Sequence, residues 1–579
     1  MLLLLPQKAT VPDGVDNLGG SNAVFASNIA NTDDGRNYYG TYFQDDWKVT
    51  SKLTLNLGLR WDFFAQVEEN FGAQANFIPG AAGSGAQYLI PVGRKDKPPL
   101  STPATAGSNA FTALLAKDGI QLVYSDNPTL GVSQKTNFAP RIGFAYQATP
   151  KLVVRGGYGI FYGGFENRGY SPNIGENYPF QFNFQFFNPN DWTSIIYTNP
   201  DGSTCGIATI ETGFSCTPLN PTLVNAKDLA LRGIQFNYIT PYTQAANLTL
   251  EYELTPTTAL SLGYVGTFAR HLETFPGSNQ VSEILPPGLS QSDYSPFPDF
   301  GYNPSYAATE GNSYYHSLQL KVTRRFSNGL NFLGDYTYSK VRGDALDLLN
   351  GSGSGGYRAP YLPAFGIQGD YQLENFDVRN IVHFSGGYDL PIGQGKKYLS
   401  NNSRLANGIL GGWSMNWILT LQDGQPVTVG CHGASTVTGL GCNALLVPGQ
   451  NVFAGPHNVN QWANPKAFTN PPVATAIGQS DFAPLGGAPT QFAGPGFHRF
   501  DWSLFKDIRT SESTRLQFRA EFFNLTNHPN FSLPGFSGNG FTAAPGSLDF
   551  RSVNFGKITS TRDNPNDPRQ IQFALKFYF

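Results

Sequence analysis

The sequence carries little charge for its length. Charged residues make up 14% of the 579 residues, and 38 Lys and Arg against 41 Asp and Glu leave a net charge of -3. Soluble globular domains usually contain about 25% charged residues. A nucleic-acid-binding protein concentrates positive charge to meet the phosphate backbone, so this near balance argues against a nucleic-acid partner.

Long hydrophobic runs are also missing. No window approaches the roughly 18 consecutive apolar residues that a membrane-spanning helix needs, which excludes a helical membrane protein. The opening Met1–Pro6 segment contains a leucine run but neither a positively charged region nor a small-residue cleavage site, so it is not a convincing signal peptide. We therefore interpret residues 1–36 as a leader or loop remnant and residues 37–579 as the folded domain.

The motifs of common catalytic and cofactor sites are lacking as well. There is no phosphate-binding GxxxxGK(S/T), no HExxH, and no GxSxG between a strand and a helix. The spacing of Cys431, His432, Cys442 and His457 fits no common zinc pattern. The sequence predicts no enzyme activity, no catalytic residue, no cofactor and no metal site.

What the sequence does contain is a repeated alternation of apolar and polar side chains. Between residues 52 and 63, Leu, Trp and Phe take every odd position from Leu53 to Phe63, and polar residues or Gly take the even ones. Residues 514–522 and the C-terminal residues 570–579 repeat the pattern. A period of two predicts β-strands whose two faces differ.

Further segments of this kind bring the total to about thirteen strands, each near the ten-residue length of a tilted transmembrane β-strand. They lie at about 38–48, 137–147, 152–162, 243–254, 258–269, 315–326, 330–340, 379–389, 412–424 and 499–509. No segment shows a helical period of comparable strength. Alternation alone would also fit soluble β-sandwiches with one face in water.

The connections between these strands favour a barrel over a sandwich, because short and long connections alternate along most of the chain. The short ones are 49–51, 148–151, 255–257, 327–329 and 510–513, with 390–411 as a longer exception. The long ones, rich in Gly, Pro, Asn and Ser, are about 64–136, 163–242, 270–314, 341–378, 425–498 and 527–569. Outer-membrane barrels have short periplasmic turns and long extracellular loops. We expect an antiparallel transmembrane β-barrel.

A barrel in lipid also explains the composition, since its outer face needs apolar side chains and its inner face meets water. Aromatic residues near strand ends would form girdles at the membrane interfaces. These residues are Tyr38, Tyr39, Trp47, Trp61, Phe63 and Phe64. Charged residues of the opposite faces would line the lumen or pair across strands; they are Arg60, Arg515, Arg519, Glu521 and Lys576.

An odd number of strands conflicts with the even number in single-chain bacterial outer-membrane barrels. An open sheet would leave unpaired backbone groups in lipid, at several kcal/mol for each group. We expect either that the chain continues upstream of its present start or that one strand is miscounted.

Several stretches resemble the barrel of TonB-dependent receptors, especially the Oar-like transporters. They are Tyr38–Val49, Leu53–Trp61, Asn137–Tyr146, Arg155–Tyr162, Leu410–Trp413 through Gly424–Pro426, and Glu521–Asn530. The resemblance runs from about residue 37 to the C-terminus. The terminal Phe573, Phe577, Tyr578 and Phe579 look like the aromatic signal that the barrel-assembly machinery reads.

The resemblance implies more than this sequence contains. Complete family members have a signal peptide, a TonB box, a plug domain and a barrel of 22 strands, so the thirteen strands here would be the C-terminal part. Coupling to TonB, ExbB and ExbD would depend on a missing N-terminal region. The other implied partners are outer-membrane lipid and an unknown substrate.

The four cysteines fall into two local pairs, each within one long loop. In the oxidising cell envelope we expect disulfides between Cys205 and Cys216 and between Cys431 and Cys442, although four cysteines allow three pairings.

The sequence therefore predicts an outer-membrane receptor of a Gram-negative bacterium for TonB-dependent uptake of a substrate that the sequence does not identify. Two alternatives stay open. One is a passive porin or structural outer-membrane barrel, and the other is a secreted β-rich adhesin.

Overall fold

A computed structural model gives the structure of the protein. It describes residues 33–80, 85–95, 106–163, 174–180, 197–198, 204–205, 229, 231–301, 306–345, 371–401, 403–432, 442–479, 486–487, 491–511, 513–537, 542–543, 548–562 and 568–579. None of the helices among these residues is long and apolar enough to cross a membrane.

One antiparallel sheet of thirteen long strands dominates the fold, and each strand pairs with its neighbours in the chain. The strands are β1 (Tyr38–Lys48), β2 (Leu53–Phe64), β3 (Asn137–Thr149), β4 (Leu152–Tyr162), β5 (Tyr242–Thr255), β6 (Thr258–Thr274), β7 (Tyr306–Ser327), β8 (Leu330–Gly343), β9 (Asn380–Asp389), β10 (Trp413–Gln422), β11 (Phe497–Arg509), β12 (Arg515–Phe523) and β13 (Gln570–Tyr578). The predicted all-β fold with about thirteen antiparallel strands is confirmed.

The strand boundaries agree with the prediction to within a few residues except in β6 and β7. These strands continue to Thr274 and begin at Tyr306, well beyond the predicted limits of 269 and 315. Their pairing shifts register around Leu272. A register shift breaks the two-residue alternation, which is why the pattern ends before the strands do.

Short turns close one end of the sheet, here called the short-turn rim. Asn328 and Gly329 link β7 to β8 with φ angles of 54° and 80°; both residues favour the left-handed conformation of a two-residue hairpin turn. The turns after β1 and β3 are held by hydroxyls: Thr50 accepts from the Leu53 amide at 3.0 Å, and Thr149 accepts from the Leu152 amide at 3.0 Å. The opposite end is the long-loop rim.

One face of the sheet is mainly apolar from the first strand to the last, with its charged residues near the two rims, and we call it the apolar face. Its register places Leu57 beside Ile142 near one edge and Ala520 beside Phe573 near the other. Its side chains are open to the surroundings, with Leu248 49% and Phe573 65% exposed. A continuous exposed apolar surface of this size is what a lipid-facing wall requires.

The opposite face carries polar and charged side chains, and we call it the polar face. Near the long-loop rim this face is covered, since Ser317 and Ser339 are buried. Their neighbours on the apolar face, Leu318 and Tyr338, are 48% and 47% exposed. The polar face is thus the inner one at this end, and the apolar face is free to meet lipid.

The first and last strands form the two edges of the sheet. Among the described residues, neither β1 nor β13 pairs with a further long strand, and the two do not pair with each other. An unpaired edge in lipid leaves backbone groups without hydrogen-bond partners. The odd strand count led to the expectation of such unpaired edges, and the arrangement of β1 and β13 leads to the same expectation.

The described parts of the first three long loops pack together into one folded unit, the first loop body. A three-stranded sheet of Asn76–Ile78, Gln87–Pro91 and Gln121–Ser125 lies beside helix α1 (Ala106–Lys117). Its buried apolar core contains Phe77, Tyr88, Ile90, Phe111, Leu115, Leu231, Phe297 and Phe300. The loops therefore have a hydrophobic core of their own.

A second loop body forms from the two long loops on either side of the hairpin β11–β12. Its buried core contains Val427, Val429, Ala444, Ala463, Ala467, Phe468, Phe492, Leu533, Phe550 and Phe555. Helix α2 (Gln291–Tyr294) lies in the first loop body, whereas helix α3 (Arg404–Leu410) lies in the connection between β9 and β10 at the short-turn rim.

Short strand pairs complete the described secondary structure. They are Asp34–Gly35 with Glu68–Glu69, Val132–Ser133 with Asn237–Tyr238, Tyr197–Thr198 with Thr204–Cys205, Gly233–Ile234 with β7, Gln372–Leu373 with β8, Pro426–Val427 with Phe492–Ala493, Leu445–Leu446 with Phe468–Thr469, and Phe536–Ser537 with Thr542–Ala543.

Candidate functional site

The polar face of the sheet is the first candidate surface, because it would line the lumen of a closed barrel. Arg60 lies there on β2. Its guanidinium is 2.8 Å from Asp62 Oδ1 and donates to the Tyr38 hydroxyl at 2.5 Å. Tyr38 and Phe64 therefore lie on the polar face, and only the other four residues suggested for the girdle lie on the apolar face.

The four other charged residues suggested for the lumen lie together on β12 and β13. Arg519 donates to Gln517 at 2.5 Å and to the Tyr578 hydroxyl at 3.0 Å, and Arg515 lies 4.3 Å from the Tyr578 ring centre. Glu521 is opposite Gln572, and Lys576 is opposite Gln517. The structure thus groups four of the five residues, while Arg60 lies far along the sheet near β1.

A charged row in the middle of the polar face escaped the sequence analysis. Lys321 of β7 lies opposite Asp335 of β8, which lies opposite His383 of β9. His383 Nδ1 is 3.0 Å from Asp335 Oδ2. Pairing between three different strands brings these residues together, so alternation within one strand could not reveal the row.

A glycine-rich hollow of about 330 Å³ lies on the polar face of β1 to β5. Its lining includes Asn56, Arg141, Gly143, Gly157 and Asn247. A Cβ atom added at Gly157 would meet its nearest neighbour at 3.5 Å, an ordinary contact distance. The packing of the sheet itself therefore does not require Gly at position 157. The small residues of the lining leave open space above this part of the polar face.

A cleft of about 380 Å³ lies at the long-loop rim, between the strand ends and the second loop body. It combines charged and aromatic groups, including Asp377, Arg379, Asp423, Gln491 and Phe492. Asp377 and Phe492 are buried, whereas Arg379 is exposed and Asp423 and Gln491 are partly exposed, so the cleft can bind a polar solute by ionic contacts and hydrogen bonds. The long loop 163–242 also contains a cluster of aromatic residues in the sequence, which would suit ligand capture but lies outside the described residues: Phe182, Phe184, Phe186, Phe187 and Trp192.

A buried carboxyl group lies close to the same rim. Glu374 is 1% exposed, and among the described residues neither of its carboxyl oxygens has a hydrogen-bond partner. Burial, with repulsion from Asp344, raises the pKa of Glu374 to about 8. Burial also raises the pKa of Asp344 itself. Glu374 is therefore expected to hold a proton at neutral pH.

This raised pKa predicts a pH-dependent stability near the rim. Since the folded pKa of about 8 lies above the ordinary value of 4.5, folding is favoured most below pH 4.5 and loses stability as pH rises toward 8. Glu374→Gln should raise the melting temperature at pH 8 and change it little at pH 5. The expected gain is at most a few kcal/mol, at about 1.4 kcal/mol per pKa unit.

Asp344→Asn serves as the control for Glu374→Gln, because it removes the repelling charge and leaves Glu374 in place. It should shift the pH dependence of melting to lower pH. An equal loss of stability in Glu374→Gln at both pH values would contradict the assignment.

The structure describes both side chains of only one of the two predicted cysteine pairs. Cys431 and Cys442 are joined by a disulfide, with Cα atoms 5.5 Å apart. Cys216 lies outside the described residues, and for Cys205 only the backbone is described. Beside the disulfide, His432 Nδ1 is 2.7 Å from Asp549 Oδ2, which ties the two loops of the second loop body together.

The C-terminal aromatic residues divide between the two faces of β13. Phe573 and Phe577 are on the apolar face, at 65% and 56% exposed, and Phe579 is 97% exposed. Tyr578 is on the polar face, where its hydroxyl accepts from Arg519. The last strand thus has an exposed aromatic surface on its apolar face.

The thirteen-strand sheet, its lipid-compatible face and its folded loops on one rim define the class of protein as an outer-membrane β-barrel. Comparison with protein families agrees. The family described as "Outer membrane beta barrel domain" matches residues 16–572. The chain belongs to this family, and its location is the outer membrane.

Solved structures give matches of low identity. The outer membrane transporter YddB from Escherichia coli is 10% identical, with a TM-score of 0.41, over 93% of this chain and 45% of that one. The FrpB iron transporter from Neisseria meningitidis is 10% identical, with a TM-score of 0.37, over 95% and 45%. The ferripyoverdine receptor of Pseudomonas aeruginosa is 9% identical, with a TM-score of 0.38, over 94% and 39%.

In each of these cases the chain spans less than half the length of the solved structure. A search of curated proteins found no match.

Proposed function

We propose that this chain is the C-terminal part of a TonB-dependent receptor barrel, which takes up a substrate across the outer membrane. The extracellular loops would capture the substrate. TonB, ExbB and ExbD of the inner membrane would supply energy through an N-terminal plug and TonB box encoded upstream. The barrel-assembly machinery would recognise the aromatic C-terminal strand.

The observation that carries this proposal is the folding of the long loops into two bodies with hydrophobic cores. Loops that only connect strands need no core of their own. Recognition sites are commonly placed on loops that a rigid scaffold holds in position. The cleft at the long-loop rim supplies the exposed Arg379 and the partly exposed Asp423 and Gln491 for a captured solute.

The polar face supports the same proposal. A plug domain inside the barrel would need a hydrophilic wall that its backbone can approach closely. The glycine-rich hollow near Arg141 and Asn247 provides one, and the Asp335–His383 row provides charged partners. The free edges of β1 and β13 would be closed by strands encoded upstream, as in a complete barrel.

Two measurements on the native gene product test this function. The protein is purified from the outer membrane with an antibody to Arg569–Phe579, placed in planar bilayers for conductance, and mixed with the purified periplasmic domain of TonB. A plugged receptor should give no steady ionic current and should bind the TonB domain.

A steady open-channel current without binding of the TonB domain would overturn the proposal and support a passive porin. A water-soluble product that needs no detergent would instead support the secreted adhesin.

A further inference from the structure

The apolar face carries a cluster of basic residues at one place on the long-loop rim. We call it the rim patch: it consists of Arg270, His316, Lys340 and Arg342 together with Tyr264, Tyr314, Tyr338 and Tyr371. All members but Tyr371 lie on β6, β7 and β8, and Tyr371 directly precedes the short strand Gln372–Leu373, which pairs with the end of β8. These strands are in the middle of the sheet, so the free edges do not affect their surroundings.

The patch points outward rather than into the lumen. Lys340 and Arg342 are exposed, whereas Val341 and Gly343, which alternate with them on β8, are buried. Exposed Leu318 and Tyr338 lie directly below on the same face. The basic side chains therefore continue the lipid-facing surface.

The height of the patch matches the outer edge of the membrane. Lys340 follows Leu330, the first residue of β8, by ten residues. At about 3.4 Å per residue and a tilt of about 40°, ten residues climb roughly 25 Å, which is the height of the apolar band of such barrels. Lys340 and Arg342 thus lie where acyl chains end and lipid headgroups begin.

The basic groups are held in position by aromatic rings. The Arg270 guanidinium lies 4.3 Å from the Tyr314 ring centre, and the Arg342 guanidinium lies 5.7 Å from that of Tyr371. The two tyrosine rings are 6.0 Å apart. On the other side, the Tyr264 hydroxyl is 2.8 Å from His316 Nδ1. Stacked guanidinium groups lose less freedom when they bind a planar or tetrahedral anion.

The positive charge of the patch is not neutralised by ion pairs within the described part of the chain. The nearby carboxylates of Asp344 and Asp377 are buried and accept from the backbone amides of Asn312 and Val341, at 2.5 and 2.7 Å. By contrast, Lys506 on the same face at the short-turn rim is buried and donates to the Gly411 carbonyl oxygen. At the long-loop rim, in contrast, Lys340 and Arg342 are exposed.

A hollow of about 510 Å³ lies between these groups, lined by Tyr264, His316, Lys340, Arg342 and Tyr371 among others. Its upper part offers cations and its lower part offers Leu318 and Tyr338. A molecule with an anionic group above apolar chains would match this arrangement of cations above apolar side chains. Arg and Lys are the side chains that bind phosphate most strongly, by charge-assisted hydrogen bonds.

We propose that the rim patch binds the phosphorylated headgroup of a lipid of the outer leaflet, with the acyl chains of that lipid lying along Leu318, Leu320 and Leu262 below. This bound lipid is distinct from any transported substrate, because it sits on the outside of the barrel wall. The patch would fix the barrel against the leaflet at β6 to β8.

Binding of diphosphoryl lipid A to the detergent-solubilised native protein, followed by native mass spectrometry, tests this proposal. Lys340→Ala with Arg342→Ala should weaken binding about 25-fold, at about fivefold for each cation near a lipid surface. The matched control is Lys396→Ala with Lys397→Ala, which removes the same charge from exposed residues at the short-turn rim. The control should bind like the wild type.

The exchange Lys340→Arg with Arg342→Lys keeps the charge and should retain most of the affinity, which separates loss of charge from misfolding. Dephosphorylated lipid A should bind as weakly as the double Ala variant does to the phosphorylated lipid. Equal binding by the two double Ala variants would overturn the proposal. Displacement of lipid A by equimolar inorganic phosphate would also overturn it, because the site would then recognise free phosphate.

Discussion

Leu262→Arg is expected to destabilise the folded barrel by about 2–4 kcal/mol, the cost measured for Arg at the midplane of lipid-facing barrel walls. Leu262 lies four residues into β6, between Leu250 of β5 and Leu320 of β7 on the apolar face. An Arg there would place a charge against acyl chains with no anionic partner among these neighbours. The urea midpoint of the heat-modifiable form in outer-membrane vesicles measures the loss.

Ser261→Arg is the matched control, one residue away on the same strand. Ser261 is on the polar face between Glu251 and Lys321, so the new charge gains one partner and one repelling neighbour in water. We expect a change below about 1 kcal/mol. Equal losses in the two variants would contradict the assignment of the faces, and a larger loss in Ser261→Arg would reverse it.

Phe77→Ala should unfold the first loop body locally while the barrel stays intact. Phe77 is completely buried and packs edge-on against Phe297, with ring centres 5.2 Å apart. Its carbonyl oxygen lies so close to Gly233 that no Cβ would fit there. Removing a fully buried Phe from a core costs about 3–5 kcal/mol. Rapid proteolytic cleavage in the loops with unchanged heat-modifiability is the expected result.

Phe71→Ala provides the control for Phe77→Ala, since it removes the same side chain from a position that is 65% exposed in the same loop. Its protease resistance should equal that of the wild type. If Phe77→Ala also resists proteolysis, the loops have no independent core, and the argument that they form a capture surface fails.

The strands could be predicted from the sequence because each face of a membrane barrel imposes a local, two-residue rule. From Leu53 to Phe63 the lipid selects every second side chain, and no distant contact is needed to read this. The prediction failed where the rule is broken by register shifts, as around Leu272 in β6.

The loop bodies could not be predicted in the same way. Phe77 meets Phe297, which is 220 positions further along the chain (297 − 77), and Asn76 donates to the carbonyl oxygens of Leu130 and Ile234 at 3.0 and 2.9 Å. Such contacts depend on which loops the strand order brings together. Helix α1 (Ala106–Lys117) was also missed, since its helical period was weaker than the alternation of the strands.

The candidate sites were only partly visible for the same reason. Arg515 and Arg519 could be placed on the inner face, because alternation assigns a face to each residue of a strand. The rim patch required the pairing of three strands, since Arg270 of β6, His316 of β7 and Arg342 of β8 come together only through the strand register. Once the strand register is known, basic residues on an apolar face indicate such a patch.

The most direct test of the central claim is the behaviour of the native protein in fractionated cells, detected with an antibody to Arg569–Phe579 in heated and unheated samples. The structure and the family predict a band in the outer-membrane fraction whose mobility shifts on heating, and the proposed receptor predicts a mass well above 62.9 kDa. A band confined to the soluble fraction, with no shift on heating, would contradict the barrel. A shifting membrane band at 62.9 kDa would keep the barrel and reject the longer receptor.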